Sequence, residues 1–340
     1  MFNPTAPDSG LGAVAEQTLP MAEEQSGRDR RVVVTGAAGF VGSHACRALA
    51  ASGWSVLALV RNAAKAAERL AHLHVDIRVG DLLDPAYLRS SIDGATAIVH
   101  LAAVAIERNG DTYDGVNVGT TRAVIDAARA ANVSRLIYMS QNGSDSASPF
   151  RFLRSKGVAQ DLVTDCGLEW TVLRPSVIFG PEDEFVNVLA RLVRLTPFIL
   201  PLPAHGESRF QPIAVNDVVA VIVRALADDA TRQHLYPLGG PAELTLRQIA
   251  ERILIAMNAH RIIVGMPTAV IRPFVAMLWH IVSKPPVTTE LLDTLALDNT
   301  VPLNTVSTVF GVNPTPLAPE ELLYLRRITS GDALRSLFRN

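Results

Sequence analysis

The stretch VVVTGAAGFVGSHACRALA, Val32–Ala50, decides the architecture. A buried strand runs into Gly36-Ala37-Ala38-Gly39-Phe40-Val41-Gly42, and helix-forming residues follow at once. Glycines at these spacings allow a tight turn, let backbone amides approach a pyrophosphate, and permit close packing of the helix on the strand. The helix N-terminus adds partial positive charge where phosphates would lie. A glycine triplet alone is weak evidence, because small residues also serve ordinary turns. Set between the first strand and first helix of an alternating series, it points to a bound dinucleotide.

The alternation is present. Short β-rich runs recur as RVVVT (31–35), SVLALV (55–60), HVDIRV (74–79), TAIVHLA (96–102), SRLIYMS (134–140) and EWTVLR (169–174). Helix-length segments separate most of them, for example NVGTTRAVIDAARAANV. Strands apolar on both faces and joined by helical crossovers form a parallel sheet covered by helices on each side. Right-handed crossovers then give an α/β, doubly wound (Rossmann) fold. After LRPSVIFGP the pattern loosens into the proline-rich TPFILPLPAHGESRFQP, which suits a pocket-shaping loop. VNDVVAVIVRALAD (215–228) predicts a helix returning to the sheet, with Asn216 or Asp217 near its cap. The expected division is a tail over 1–29, a dinucleotide domain over 30–180 plus 214–235, and a smaller, mainly helical lobe over 181–213 plus 236–340.

The second strand would normally end in a carboxylate that takes the adenosine ribose hydroxyls. Here LALVRNAAKA offers Arg61 instead. A guanidinium at that place suits a 2′-phosphate, so NADP(H) is expected over NAD(H). A solvated arginine at a strand end is the plainer alternative. Asp81 in VGDLLDP, with Leu82 beside it, follows the third strand and could meet the adenine. Leu101, Ala102 and Ala103 in HLAA end the fourth strand, where small residues let a cofactor lie close.

TGxxGxxG, GDLLDP, HLAA, NVGTTRAVIDAA and the lysine of RSKGVAQ together resemble the extended or atypical short-chain dehydrogenase/reductase superfamily. More narrowly, RPSVIFGPEDEFVN is similar to the branch that includes the nucleotide-binding accessory subunit of respiratory complex I. The likeness spans roughly residues 31 to 325, with FQPIAVNDVVAVI and FGVNPTPLAPEELLYL included. It implies tight NADP(H) binding and a structural place in respiratory assemblies or in quinone metabolism. It further implies that Lys156 contacts the nicotinamide ribose, that Pro175, Ser176 and Val177 border the nicotinamide, that Ser140 is the strand-end hydroxyl, and that Asn117 steadies the site backbone.

One departure from that pattern stands out. In active members a tyrosine four residues before the lysine gives the substrate oxygen its proton; in FLRSK that position is Phe152. General acid catalysis typically supplies about 10²–10⁴ in rate. Ordinary hydride-transfer catalysis is therefore not expected, and a cofactor-holding role is. The alternative is an active NAD(P)H-dependent reductase or epimerase on a quinone-like, isoprenoid or sugar-derived molecule. Tyr138 is expected in the core, Tyr113 has no spacing that favours the cleft, and Gln141 and Asn142 can bond a ligand but are poor acids. His100 is expected to be a satisfied core histidine. His205 and Arg209 are as readily exposed as ligand-facing. Glu182, Asp183 and Glu184 follow Pro181, where carboxylates suit a helix start better than a metal.

Composition narrows the partners. Apolar residues make up 49% and charged residues 19%, enough for a large core. With 31 basic and 33 acidic residues the net charge is -2, which gives no general attraction to nucleic acid. Two cysteines, Cys46 and Cys166, make no metal spacing or disulfide framework. Residues 1–29 carry neither a secretory nor a mitochondrial signature and predict a flexible tail. The most apolar stretch, AVIRPFVAMLWHIV (269–282), is interrupted by Arg272 and Pro273 and falls short of the roughly 18 residues a bilayer span needs. A buried helix is expected there; surface attachment through Phe274, Met277 and Trp279 is the alternative. The expected location is cytoplasmic, with a peripheral position at the inner face of a membrane in view of the resemblance.

Overall fold

The structure, a computed structural model, describes residues 30–108, 110–282, 287–302 and 304–338. The expected tail over 1–29 and the side chain of Trp279 lie outside the described residues.

Six strands follow the β-rich runs closely: β1 (Arg31–Thr35), β2 (Ser55–Val60), β3 (Asp76–Val79), β4 (Ala97–His100), β5 (Arg135–Met139) and β6 (Glu169–Pro175). A seventh, His234–Leu238, pairs with β6. The sheet order is β3-β2-β1-β4-β5-β6 and then the seventh strand, with every pair parallel. This is the doubly wound α/β fold, with its reversal of strand order between β1 and β4. The crossovers are α1 (Phe40–Ala51), α2 (Ala63–Leu70), α3 (Pro85–Ile92), α4 (Thr120–Ala130) and α5 (Arg151–Thr164). Further on come α6 (Val186–Leu195), α7 (Val215–Ala227), α8 (Leu246–Ala256), α9 (Thr268–Ile281), α10 (Thr289–Thr294) and α11 (Thr305–Phe310).

Strand alternation separates two cores. Val32 and Val34 point to the side packed by α1 and α7, whereas Val33 joins Leu57, Ile98 and Leu136 under α3, α4 and α5. A third core lies in the second lobe, where Val186, Leu189 and Val193 of α6 meet Ile249 and Ile253 of α8. Short strand pairs, 199–202 with 262–265 and 209–210 with 244–245, brace this lobe.

Two sequence expectations need correction. The seventh strand runs to Leu238, so the boundary expected at 235 cuts a sheet strand. The C-terminal region does not stay in the second lobe: Val306 and Phe310 of α11 are buried in the sheet core, and the Phe310 ring meets Tyr236 edge-on at 4.9 Å. Asp217 lies in the first turn of α7, near the cap as expected. Ala214 occupies the cap itself without a side-chain bond, and Asp217 accepts from the Thr315 amide at 2.6 Å and hydroxyl at 3.3 Å.

The acidic run behaves as a helix start. Asp183 is buried and accepts from the amides of Phe185, Val186 and Asn187 at the head of α6. Cys46 and Cys166 are buried and unpaired. Among the described residues no helix is long and apolar enough to cross a membrane.

Candidate functional site

In an open α/β sheet the crevice forms where strand order reverses, outside the carboxyl ends of the strands. Here that is the gap between β1 and β4, and the glycine loop fills its floor. Gly36 has φ +66°, and a Cβ there would lie 2.8 Å from the Ala102 amide nitrogen. The position therefore demands glycine both for its left-handed backbone and for the close approach of β4. A Cβ on Gly42 would overlap the Gly36 carbonyl oxygen. Gly39 closes the turn with its amide on the Gly36 oxygen at 2.8 Å and stands at the N-cap of α1. No side chain caps this helix and no acidic residue occupies its first turn. The amides of Phe40, Val41 and Gly42 thus carry the uncompensated positive end of α1 toward the crevice.

A hydrogen-bonded chain of neutral groups locks the strand ends together behind the loop. The Thr35 hydroxyl accepts from the amides of Leu101 and Ala102 at 3.2 and 3.3 Å, leaving its proton for Nδ1 of His100 at 2.7 Å. His100 Nε2 then donates to Thr121 Oγ1 at 2.9 Å, which donates to the Asn117 carbonyl at 2.7 Å. Burial pushes the His100 pKa down to about 3, consistent with a neutral ring whose two nitrogens are both paired. His100 is the satisfied core histidine.

On the adenosine side, Arg61 stands exposed at the end of β2, but its fork is occupied. It makes a bidentate pair with Asp111 at 2.7 and 2.6 Å, from a loop fifty residues on. Asp111 was not singled out in the sequence, because nothing local marks it. Asp81 accepts from the Leu83 amide at 2.9 Å, an Asx turn that holds the loop after β3. Leu82 packs against the core beneath α3 and α4, and Ala103 is exposed on the opposite rim.

The other end of the crevice is built from side chains. Lys156 on α5 is 4% exposed, with Nζ donating to the Met139 carbonyl at 2.6 Å and lying 4.6 Å from the centre of the Tyr138 ring. Burial lowers its pKa to about 7. Asn117 holds the loop after β4, accepting from the Val104 amide at 2.8 Å while donating to the Val104 carbonyl and to Ser155 Oγ. Ser140 ends β5 as a buried hydroxyl with no partner among the described residues. Tyr138 is core, as expected, at 1% exposed.

Phe152 sits one turn before Lys156 on α5, and its ring meets Tyr113 at 5.8 Å. Tyr113 is a poor substitute for the missing acid. Its hydroxyl already donates to the Ala105 carbonyl at 3.0 Å, and burial, with Glu290 and Glu107 nearby, pushes its pKa up to about 12. In front of Phe152 opens a cavity of about 820 Å³, shared by Gln141, Val177 and apolar residues of the second lobe.

The region 290–301 crosses this end, and its residues escaped the sequence reading. Glu290 accepts from the Phe152 amide at 2.8 Å. The Asn299 carbonyl takes the Ser176 hydroxyl at 2.6 Å, and Asn142 donates to Asn299 Oδ1 and the Thr300 carbonyl, both at 2.9 Å. Gln211, fully buried, ties the same segment to the sheet by accepting from the Val301 amide at 3.0 Å. Ser176 and Asn142 are thus structural ties in this state, while Pro175 ends β6 with its carbonyl on the Asn142 amide. His205 and Arg209 are exposed, and Arg209 lies near Glu243 at 3.8 Å. The short helix α10 and the irregular stretch after it, 295–301, carry too little periodicity from which to read such contacts.

A glycine floor, an uncapped helix end and an unpartnered Ser140 hydroxyl fit a dinucleotide well. The fold and crevice define a dinucleotide-binding Rossmann protein. The chain belongs to the NAD(P)H-binding family, whose family model matches residues 36–229, more than half of its length. It is similar to the mitochondrial NADH dehydrogenase [ubiquinone] 1 alpha subcomplex subunit 9 of Arabidopsis thaliana, 31% identical over 64% of this chain and 56% of the relative. It is also similar to a ceramide reductase of Caulobacter vibrioides, 33% identical over 56% of this chain and 59% of that one. The chain therefore spans less than two thirds of these curated relatives. In fold it matches an Escherichia coli NADPH-dependent quinone oxidoreductase solved with NADPH, at TM-score 0.66 and 22% identity, over 85% of this chain and 98% of the other.

Proposed function

We propose that this protein holds NADP(H) as a structural or regulatory component linked to a respiratory complex I-like assembly or to quinone metabolism, with its proton-transfer step disabled. The observation that carries this reading is Phe152, an aromatic ring without a hydroxyl where the proton donor would stand, beside a tyrosine whose own hydroxyl is committed to the Ala105 carbonyl. A bound nicotinamide supplies hydride. What the chain's residues do is bind and orient. The amides from Gly36 to Gly42, with Ala38, Phe40 and Val41 between, take the pyrophosphate. Arg61, released from Asp111, takes the 2′-phosphate, and Asp81 and Leu82 border the adenine. Leu101, Ala102 and Ala103 form the wall behind the cofactor, Lys156 and Ser140 face the nicotinamide ribose, and Pro175, Ser176 and Val177 back the ring. The likeness to a complex I subunit supports an assembly role, and peripheral membrane association follows from it.

Ligand that binds only the native state stabilises it as RT ln(1 + [L]/Kd), about 4 kcal/mol at a thousandfold excess over Kd. Native mass spectrometry of the freshly purified protein should reveal retained nucleotide, and NADPH should raise the melting midpoint more than NADH. Absence of both retained nucleotide and any midpoint shift would sink the proposal. Steady NADPH oxidation at 340 nm with a carbonyl or quinone acceptor would sink the disabled-site part alone. It would favour the second reading, an active NAD(P)H-dependent reductase, to which the apolar cavity before Phe152 and the ceramide reductase relative lend support.

A further inference from the structure

The cavity before Phe152 has two chemically different sides. On the sheet side stand Gln141, Phe152 and Val177, the last within the segment assigned above to the nicotinamide border. The Gln141 side-chain amide has no hydrogen bond to another described residue, so it is available to a ligand's polar group. The lobe side is mostly hydrocarbon, with Leu189 and Leu192 from α6, Ile271 and Val275 from α9, and Leu291 and Leu295 from α10; Glu184, Arg191, Thr294 and Asp298 add polar groups to its lining. A cavity of about 820 Å³ falls at the upper part of the range that takes drug-sized ligands. A sugar or nucleotide lying along the Leu192, Ile271, Val275 and Leu291 stretch would leave hydroxyls unpaired there, at a desolvation cost. A hydrocarbon chain would not.

The helix that forms one wall adds an independent sign. α9 turns Ile271 and Val275, one turn apart, to the cavity. Val270, Phe274 and Met277 are 41%, 65% and 54% exposed and fall on a second stripe at the same helical spacing. A surface helix needs one apolar stripe to fold; the second faces outward next to the cavity wall.

We infer that this cavity binds an elongated lipid chain carrying a carbonyl or quinone-type head. The head lies at Gln141 and Phe152, and the chain runs between α6, α9 and α10. This rests on the dinucleotide reading only for what the head faces; the chain site stands on the cavity itself.

The test uses methyl ketones of increasing length, 2-hexanone to 2-dodecanone, titrated into the full-length protein by calorimetry, with NADPH-induced melting measured on the same samples. Each added methylene should tighten binding about fourfold until the cavity is filled. Leu291→Arg, at a half-buried site, should weaken 2-dodecanone at least tenfold and leave the NADPH melting shift unchanged. Leu192→Arg provides a second plug from another wall. Equal affinity for short and long ketones, or binding insensitive to both variants, would overturn the inference. Loss of the NADPH shift with the chain-length series intact would instead overturn the cofactor reading and keep the lipid site. Delivering 2-dodecanone free or in phosphatidylcholine vesicles separates the sources. If the chain enters from a bilayer, Phe274→Asp slows only the vesicle arm; if it enters from solution, Phe274→Asp slows neither.

Discussion

The two ends of the crevice are built on different materials. The phosphate end is backbone: a left-handed glycine, a tight turn and the bare N-terminus of α1. The reactive end is side chain: Lys156 bonded to a carbonyl, Ser140 without a partner, and Phe152 where a donor would stand. A backbone-built site tolerates almost any substitution except one that adds a Cβ to its glycines. A proton-transfer site is lost with a single residue. That asymmetry allows a cofactor cleft to outlive its chemistry.

The strongest way to break the comparison is at the backbone end. Gly42→Val places a Cβ onto the Gly36 carbonyl and should remove NADPH binding altogether, with destabilisation of about 3 kcal/mol or more read by denaturant melts. An unaltered NADPH midpoint shift in this variant would mean that the loop does not grip the nucleotide. At the other end, Phe152→Tyr restores a hydroxyl one turn from Lys156. It should raise NADPH oxidation with a fitting carbonyl acceptor by about 10² or more in single-turnover kinetics. No gain would show that the native site lacks more than the acid.

The Arg61–Asp111 pair offers a finer probe. Arg61→Ala should weaken NADPH roughly tenfold, the scale of one lost charged hydrogen bond, and leave NADH nearly unchanged. Asp111→Asn frees the guanidinium and should tighten NADPH a few-fold; fluorescence titrations of both cofactors measure the two effects.

The comparison can also be sharpened through pH dependence. Burial holds Lys156 at about 7 against 10.5 for an ordinary lysine, so between those values the unfolded chain takes up a proton that the folded chain does not. Stability contributed by this group therefore rises from about pH 7 to 10.5. Lys156→Met removes the buried charge, so its melting midpoint should gain on the parent most below pH 7 and converge with it in alkali. His100 works in the acid range. With a folded pKa of about 3 against 6.5, it contributes stability above pH 6.5 that is lost as pH falls toward 3. A His100→Gln variant should show a flatter acid limb in melts across that window.

Much of this was legible in the sequence because it rests on local pattern. Apolar runs with helix-length spacers dictated β1 to β6, and the glycine spacing located the tight turn from β1 into α1. The four-residue step from Phe152 to Lys156 read correctly as one helical turn. What was not legible depends on partners far along the chain. Asp111 reaches Arg61 and Asn299 claims Ser176 and Asn142 from irregular segments, and Glu290 reaches the Phe152 amide from α10, a helix too short to carry a periodicity. Asp217 stands in the first turn of α7 as read, but its partner, the Thr315 amide, lies far along the chain. The seventh strand, HLYPL, hides because Pro237 and the polar His234 blur its strand signature.

The return of α11 to the sheet has a consequence for biosynthesis. Phe310 lies against Tyr236 and completes the packing over the α1 and α7 face. A chain emerging from the ribosome can pair its first six strands early, yet that apolar surface stays uncovered until translation has passed the last of these residues. Closing such a long loop is slow, and the unfinished nucleotide half is the species that chaperones or aggregation would meet.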